Sequence, residues 1–391
     1  MQVKQAATIL NEVLIPEFIG EEHGTVTEDL SNFVDFGRAF SDMATSSDFE
    51  KFHKKICDKV GKQIFVDRVY TGVNMNILRD GSEWGSVVEK TRFVPNDFED
   101  NVVWSLTNGQ KYDDFLTFRA TDATVTYWNS KITYKISLDK PYNQVKSAMT
   151  SASAYMKYIN ALEVNIRNRK TVAFKALTQR VHNAMAAKRI AQGHVIDLLT
   201  EYNQKFNKSL TPEPAMYDKE FLAYAISRIA DISALMSELS QLYNSGGIAT
   251  FSPKEYQILA LNSLFSANIN TFLKANTFHP EFLNEIKREE IPFWQSTGDE
   301  EGASISARTA INVKISDNIL EEGDTVVARD FVIGTLRDRD SIAIFNNDEY
   351  ALSFQNPDNG VTKTNYMTDL SLFADPAENF IVFVLGSGSG S

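Results

Sequence analysis

Residues 115–138 read FLTFRATDATVTYWNSKITYKISL, a run rich in β-branched and aromatic side chains that contains no glycine and no proline. Fully extended, such a run would measure about 70 to 80 Å. A compact domain does not need so long a strand, and a long two-stranded arm is marginal in water unless its apolar face meets a partner. Even if it divides into two strands, this stretch predicts an arm that lies on another subunit.

The predicted arm begins well before this run. From Gln63 onward, β-branched and aromatic residues alternate with turn-forming residues, namely Gly72, Asp80-Gly81, Gly85 and Asn108-Gly109. We therefore predict a β excursion over residues 63–138. Residues 1–62 contain short amphipathic and irregular pieces, which do not indicate an independent domain.

A long helix is predicted after the arm. Asp139-Lys140-Pro141 supplies an N-cap and a first-turn proline, and Gly193 is a typical C-terminal stop. Apolar residues recur between them at steps of three and four: Met149, Ala152, Met156, Ile159, Leu162, Ile166, Ala173, Leu177, Val181 and Ala184. An unbroken helix would be ~70 Å long. Residues 165–171 form a weak point for a kink or a division.

The second half of the chain mixes helices and strands. We predict helices over residues 221–243 and 252–267, the second opened by Ser252-Pro253. The chain then ends in a sheet, because strand-like runs follow at residues 310–315, 325–327, 331–333, 341–345, 350–354, 365–373 and 379–385. Residues 386–391, GSGSGS, have the composition of a flexible linker.

Charge and hydropathy exclude several classes of protein. The formal net charge of −12 disfavours a protein that grips nucleic acid mainly through its phosphates. The predicted helix is basic nevertheless, because nine Lys or Arg and one acidic residue lie between Lys146 and Arg189. No apolar run approaches the roughly 20 residues of a membrane span, and we expect synthesis in the cytoplasm.

Signals for catalysis or cofactor binding are weak. The single cysteine, Cys57, has no neighbour at zinc-ligand spacing, and the five histidines include no pair at helical metal-site spacing. Nucleotide-binding glycine motifs and the serine-hydrolase motif do not occur. Adjacent acidic residues such as Glu289-Glu290 suit solvated surface charge better than the carboxylate pair of a glycosidase. We therefore predict no enzymatic activity, no cofactor and no metal site.

The order of elements resembles the Hong Kong 97-type (Johnson) fold of tailed-phage major capsid proteins, in a podovirus-like subgroup. VDRVY at 66–70 and ILRDGSEWG at 77–85 are similar to the start of the extended loop of this family. Residues 149–189 resemble its spine helix. The axial lobe is matched by SPKEY at 252–256 with residues 261–275, and the peripheral sheet by residues 340–384.

The resemblance implies an α+β protein divided as follows: an N-terminal arm (1–62), an extended β-hairpin E-loop (63–138), a peripheral domain with the spine helix (139–214), a mixed α/β axial domain (215–319), the sheet return of the peripheral domain (320–385) and a linker or tag remnant (386–391). It implies a major capsid subunit that self-assembles through pentamers and hexamers into an icosahedral shell. Double-stranded DNA, bound without sequence specificity, and scaffolding and portal proteins are the implied partners, with no membrane. The implied location is the virion capsid, after synthesis in a bacterial host.

Other classes of protein stay open beside this one. An encapsulin-type nanocompartment shell, which encloses cargo enzymes, has the same fold and is the main alternative. A tail or baseplate protein would need repeats or a triple-stranded helical stretch, and the sequence contains neither. An enzyme with a non-local active site has no positive support.

Contacts between subunits are the functional sites that the resemblance implies. In the family the E-loop lies across an adjacent subunit, which implies contacts from Arg79, Asp80, Glu83, Trp84 and Glu89. The basic helix offers a second surface at Arg167, Arg169 and Lys170. This surface could pair with acidic groups of a neighbouring arm, which we favour, face packaged DNA, or remain a solvated helix face.

Overall fold

The computed structural model describes residues 76–80, 88–93, 123–128, 130–141, 151–276, 287–299, 302–316, 325–356 and 361–386, together with residues 11, 26 and 27. The predictions for residues 1–62 therefore lie almost wholly outside the described residues, and those for Glu83 and Trp84 lie outside them completely. Over the described ranges, no helix combines the length and the apolar character that a membrane crossing requires.

Strands stand at both ends of the described chain, and most of the helices lie between them. The helices are α1 (Ala152–Ala191), α2 (Leu198–Phe206), α3 (Pro212–Ala215), α4 (Lys219–Met236) and α5 (Ser263–Asn276), and a 3-10 turn lies at Lys254–Tyr256. The strands are β1 (Leu78–Asp80), β2 (Val88–Phe93), β3 (Ala123–Trp128), β4 (Ser130–Pro141), β5 (Val195–Asp197), β6 (Gln257–Asn262), β7 (Lys287–Ile291), β8 (Gln295–Asp299), β9 (Gly302–Ala307), β10 (Ile311–Ile315), β11 (Thr325–Arg329), β12 (Val332–Asp338), β13 (Ile342–Asn356), β14 (Val361–Ala374) and β15 (Phe380–Val384).

A four-stranded sheet in the order β1-β13-β14-β4 is built around the long β13–β14 hairpin. The hairpin is antiparallel, and β1 joins the start of β13 in parallel. Strand β4 pairs antiparallel with β14 over its whole length, from Pro141 opposite Val361 to Ser130 opposite Leu372. Separate strands predicted at 341–345 and 350–354 are therefore one continuous strand.

Strand β4 corrects the predicted start of the long helix. Asp139-Lys140-Pro141 ends this strand and does not cap a helix. A proline is tolerated at a strand end, where its missing N–H interrupts no ladder. Residues 130–138, which the sequence places in the projecting arm, also lie in β4, within the chain's own sheet. Ile132 and Tyr134 pack against the core from there.

Helix α1 begins where Ser151 accepts a hydrogen bond from the Ala154 amide at 3.1 Å, and it runs for 40 residues. At 1.5 Å per residue it is ~60 Å long. The helix does not divide at the predicted weak point, residues 165–171, since it is continuous there. The predicted stop is confirmed: Gly193 follows the cap residue Gln192 with φ of 81°, a conformation that favours glycine.

A five-stranded sheet in the order β5-β15-β12-β6-β7 forms the centre of the molecule. Strand β15 is buried on both faces: Phe380, Val382 and Val384 pack in one core with helix α1, whereas the alternate residues Ile381 and Phe383 pack in a second core with α2, α4 and α5. The first core also includes residues of β13 and β14. Helix α1 therefore packs on both sheets and joins them.

The helix predicted at 252–267 is wrong in its first half. Residues 254–256 form the 3-10 turn, β6 follows, and a helix begins only at Ser263. All six residues of β6 are buried. A short apolar run that is buried on both faces has no helical or strand periodicity of its own, so its sequence does not distinguish the two. Helix α4 likewise ends at Met236, seven residues before the predicted end at 243.

His182 makes the first core sensitive to pH. Its ring is fully buried in helix α1, 2.9 Å from Thr335 Oγ1 and stacked on Trp294. Burial, and secondarily the charge of Arg337, lowers the pKa of His182 to about 3. An unfolded histidine titrates near 6.5, so protonation favours the unfolded chain. The stability that the neutral His182 side chain contributes to the folded protein is present above pH 6.5 and is lost as the pH falls towards 3.

We expect His182 alone to lower the free energy of unfolding by about 1.5 kcal/mol between pH 6.5 and pH 5. Urea unfolding at pH 5 and at pH 6.5 measures this for the protein and for His182→Gln, which does not titrate. The variant should lose less stability over the interval by that amount. Equal losses in the two proteins would contradict the assignment.

Candidate intersubunit surface

Strands β2 and β3 form a two-stranded antiparallel ribbon with two different faces. Opposed pairs such as Glu89–Tyr127 and Thr91–Val125 place four side chains on the outer face of the ribbon. These side chains are exposed, with Tyr127 at 62% and Val125 at 41%. The ribbon therefore presents apolar surface and the Glu89 carboxylate to solvent.

The inner face of the ribbon is bound to its own chain by a charged clamp, which consists of Lys90, Arg92, Asp375 and Glu378. Arg92 contacts both Asp375 oxygens, at 2.5 and 3.2 Å, and Glu378 Oε1 at 2.6 Å. Lys90 Nζ lies 2.5 Å from Glu378 Oε1 and 3.1 Å from Asp375 Oδ2. Burial lowers the pKa of Arg92, but the two carboxylates outweigh this effect and the pKa is raised.

Apolar contacts accompany the clamp. Trp128 Nε1 donates to the Ala374 carbonyl at 2.9 Å, and its ring meets Phe373 edge-on with 4.4 Å between centroids. A cavity of about 280 Å³ lies beside these rings, between the ribbon, helix α1 and the end of β14. It is lined by Thr126, Trp128, Ser130, Val181, Met185, Lys188, Arg189, Gln192, Ser245, Leu372, Phe373, Ala374 and Pro376. The ribbon base is thus held by charge and by packing.

Helix α1 exposes a second surface, on which two valines are the apolar residues. Val164 is 55% exposed and Val172 is 56% exposed, and Asn168 lies between them on the same side of the helix. At 3.6 residues per turn, Arg167 and Arg169 flank this stripe on its two sides. We call these five residues the outer face of helix α1. Two exposed valines that flank an asparagine, set between two guanidinium groups, can receive a strand that carries apolar side chains and a carboxylate.

The predicted helix contacts are not equivalent. Arg167 and Arg169 are exposed, although Arg169 Nη1 also donates to the Ser137 carbonyl at 3.0 Å. Lys170 points the other way: its Nζ is 2.7 Å from Glu349 Oε1 on β13. Lys170 is half-buried against its own chain, whereas Arg167 and Arg169 are exposed, so we assign the surface to these two arginines.

The predicted contact residues of the E-loop also differ in where they lie. Arg79 Nη1 lies 2.8 Å from Asp340 Oδ1, so this side chain ties β1 to the turn before β13. Asp80 pairs in register with Asn346. Glu89 is exposed on the outer face of the ribbon. Glu83 and Trp84 lie outside the described residues.

The clamp was missed by reasoning from the sequence, although one signal for it exists. Lys90 and Arg92 are two residues apart in a predicted strand, which places both charges on one face. A strand face with two cations needs solvent or acidic partners. Those partners, Asp375 and Glu378, are more than 280 residues away, and no local pattern connects the two pairs.

Metal binding has no support in this region. Within the ranges that the structure describes, no three His, Cys, Asp or Glu side chains converge in a way that could hold a metal ion. The charges at the ribbon base are instead paired with one another. The arrangement is suited to holding and presenting a protein surface.

Comparisons with known proteins show which family has this architecture. The sequence model of the family described as Phi29-like phage major capsid protein matches residues 12–384. A comparison with curated protein sequences gives no match. Solved structures are also similar to the chain over most of its length at low sequence identity, and three of them serve as examples.

A chain in the capsid structure of Staphylococcus phage Andhra is 13% identical, with a TM-score of 0.53 over 81% of this chain and 85% of that chain. A chain in a structure of the head fiber and inner core protein gp22 of bacteriophage P68 is 13% identical, with a TM-score of 0.48 over 80% and 84%. A chain of the mature capsid of bacteriophage PhiM1 is 10% identical, with a TM-score of 0.42 over 80% and 86%.

We base the fold assignment on the first of these structures and on the family match. Both agree with the Hong Kong 97-type capsid fold that the order of elements predicts from the sequence. The family match extends over nearly the whole chain. The protein belongs to the family of Phi29-like phage major capsid proteins.

Proposed function

We propose that this shell subunit assembles by laying the outer face of its ribbon on the outer face of helix α1 of a neighbouring subunit. Family membership makes the chain a subunit of the virion capsid. The observation that carries the proposal is the match between two exposed surfaces. Val125, Tyr127 and Glu89 lie on one, and the row of Val164, Asn168 and Val172 between two arginines lies on the other.

The chemistry of the two faces supports this contact. Exposed valine and tyrosine side chains gain free energy when they leave water, and Tyr and Arg are common at the centre of protein interfaces. Glu89 would meet Arg167 or Arg169 where packed apolar groups exclude water, which strengthens the ion pair. Each contact is small, but every subunit both gives and receives one. A closed shell therefore sums many of them.

The proposed division of the chain follows the predicted boundaries with one change. We propose an N-terminal arm at 1–62 and an E-loop that contains the ribbon and ends before β4, because β4 lies in the subunit's own sheet. The ranges 139–214 and 320–385 would form the peripheral domain, and 215–319 the axial domain. The five-stranded sheet takes strands from all three ranges, so these domains share a core.

We further propose an icosahedral shell of pentamers and hexamers that encloses double-stranded DNA without sequence specificity, with scaffolding and portal proteins as partners. The net charge of −12 supports this role, because a strongly basic lining would retain the packaged DNA. The family is structural, which supports a subunit that catalyses no reaction. Neither the family match nor the similar capsid structure supports an encapsulin-type shell.

Neutralising the helix surface tests the contact. We expect Arg167→Gln with Arg169→Gln to raise the subunit concentration needed for assembly roughly tenfold at low ionic strength, and less at high ionic strength. Light scattering and negative-stain electron microscopy measure this concentration. Glu89→Gln should shift it in the same direction, since it removes the other side of the pair.

A matched control removes two exposed lysines elsewhere, Lys219→Gln with Lys254→Gln. This variant has the same change in net charge and should assemble like the unmodified protein. Assembly of the Arg167 and Arg169 variant at the control's concentration would contradict the contact. Normal empty shells that fail to retain DNA would instead indicate that the helix faces the packaged genome.

A further inference from the structure

We propose that Lys90 and Arg92 are positioning residues for assembly: by holding Asp375 and Glu378, they set the direction in which the ribbon leaves its subunit and hence the surface that it reaches. The inference rests on the proposed role of the ribbon as the part that contacts a neighbour. It adds that the contacts made by the inner face of the ribbon set the orientation of its outer face.

The clamp has the strength to set a direction. A two-stranded ribbon is marginal by itself, so its orientation depends on what its base contacts. Arg92 binds the Asp375 carboxylate in the two-pronged geometry that restricts orientation as well as distance. The Asp375 side chain is 2% exposed, so solvent screens these pairs much less than it screens surface ion pairs.

The carboxylates themselves are fixed in place. They belong to the turn of residues 374–379, which we call the acidic turn. The Asp375 amide donates to the Ser341 carbonyl at 2.8 Å, just before β13, and the Ser245 amide donates to the Pro376 carbonyl at 3.0 Å. Two separate parts of the chain therefore hold the acidic turn.

Close packing limits the acidic turn further. A Cβ added at Gly246 would lie 2.3 Å from the Cβ of Ala377, so only glycine permits this approach. Beyond the turn, the Phe380 amide donates to the Tyr243 carbonyl at 2.9 Å. The acidic turn therefore cannot shift without moving residues 243–246, which it contacts. It is a rigid attachment point for the ribbon.

Arg189 connects the acidic turn to helix α1. This side chain is fully buried in the last turn of the helix, and its Nη2 donates to the carbonyls of Pro376 and Glu378, each at 2.9 Å. Its Nη1 donates to Ser245 Oγ. Burial lowers the pKa of Arg189 to about 10, so it stays charged at neutral pH.

A continuous path of contacts thus joins the two proposed interfaces of one subunit. It runs from helix α1 through Arg189 to the acidic turn, and through the clamp to the ribbon. Within one subunit, the outer face of helix α1 and the ribbon are therefore held at a fixed angle to each other. The first would receive the ribbon of one neighbour, and the second would contact another neighbour. A closed shell needs such a fixed angle, because a variable one permits open or irregular assemblies.

The test uses the full-length double variant Lys90→Gln with Arg92→Gln. Hydrogen exchange of the β2 and β3 amides should become about tenfold faster, because charged hydrogen bonds that anchor the ribbon are lost. Electron microscopy should show irregular or open assemblies in place of uniform shells. The concentration needed for association should change less than about threefold, since the outer face is intact.

Two further variants keep the test decisive. Glu378→Gln removes one carboxylate of the clamp and should reproduce both effects more weakly, which matters if the double variant does not fold. Arg92→Lys keeps the charge but not the two-pronged geometry, so it should restore only part of the shell uniformity that the double variant loses. Uniform shells and unchanged exchange in both clamp variants would overturn the proposal.

The readouts separate this proposal from the ribbon–helix contact. Loss of the outer-face contact raises the concentration needed for association and leaves exchange of the ribbon amides unchanged. Loss of the clamp changes exchange and shell regularity. If Glu89→Gln leaves association unaltered while the clamp variants still show faster exchange and irregular shells, the outer-face contact fails and the clamp stands.

Discussion

Replacing Trp294 by alanine is expected to lower the free energy of unfolding by about 4 kcal/mol. The indole is fully buried, stacks on His182 and donates from Nε1 to the Val332 carbonyl at 2.8 Å. Truncation creates a cavity between helix α1 and the five-stranded sheet, and it also leaves a buried carbonyl without its donor. Urea unfolding of the purified subunit, followed by far-UV circular dichroism, measures the change.

Trp294→Phe is the matched variant. It keeps an aromatic ring and removes the donor, so the loss should be smaller, about 1 to 2 kcal/mol. The difference between the two variants reports the packing of the indole. A loss below about 1 kcal/mol for Trp294→Ala would mean that this side chain does not hold the helix on the sheet.

Replacing Arg189 by methionine is expected to cost about 3 kcal/mol of unfolding free energy. Methionine fills much of the same volume but donates no hydrogen bond, which removes the charged donor of the buried Glu378 carbonyl and one of the donors of the Pro376 carbonyl. The same change should loosen the acidic turn. Faster hydrogen exchange of the residue 375–380 amides, measured together with urea unfolding, would report both effects.

Arg180→Met is the control for this substitution, because Arg180 lies on the same helix and is exposed. We expect a change below about 1 kcal/mol. Equal losses for the two variants would show that the cost arises from methionine in the helix. Such a result would remove the role assigned to Arg189.

The long helix and the terminal strands were predictable because their signals are local. The three- and four-residue spacing from Leu162 to Ala184 agrees with the buried side of helix α1, and Gly193 marks its end. The limits of the β13–β14 hairpin were less predictable. Two separate strands were predicted at 341–345 and 350–354, whereas the structure carries one strand across a register shift between Asn346 and Asp348.

The candidate contacts were predictable only in part. Glu89 was selected because the resemblance implies E-loop contacts, and Arg167 and Arg169 were selected because they belong to the basic run of the predicted helix. Lys170 has the same residue type and lies next to Arg169, yet it contacts Glu349 inside the chain. One residue along a helix is a rotation of about 100°, so a run of basic residues does not share one environment.

By itself, the sequence determined the class of the protein: a β arm, a long basic helix and a terminal sheet in an order that resembles tailed-phage capsid subunits. These features follow from residue periodicity and composition over short windows. Only the tertiary structure decided that residues 130–138 complete the subunit's own sheet and that Lys90 and Arg92 hold the acidic turn. Such pairings join residues more than 200 positions apart, and the chain's path through space, which no local pattern records, brings them together.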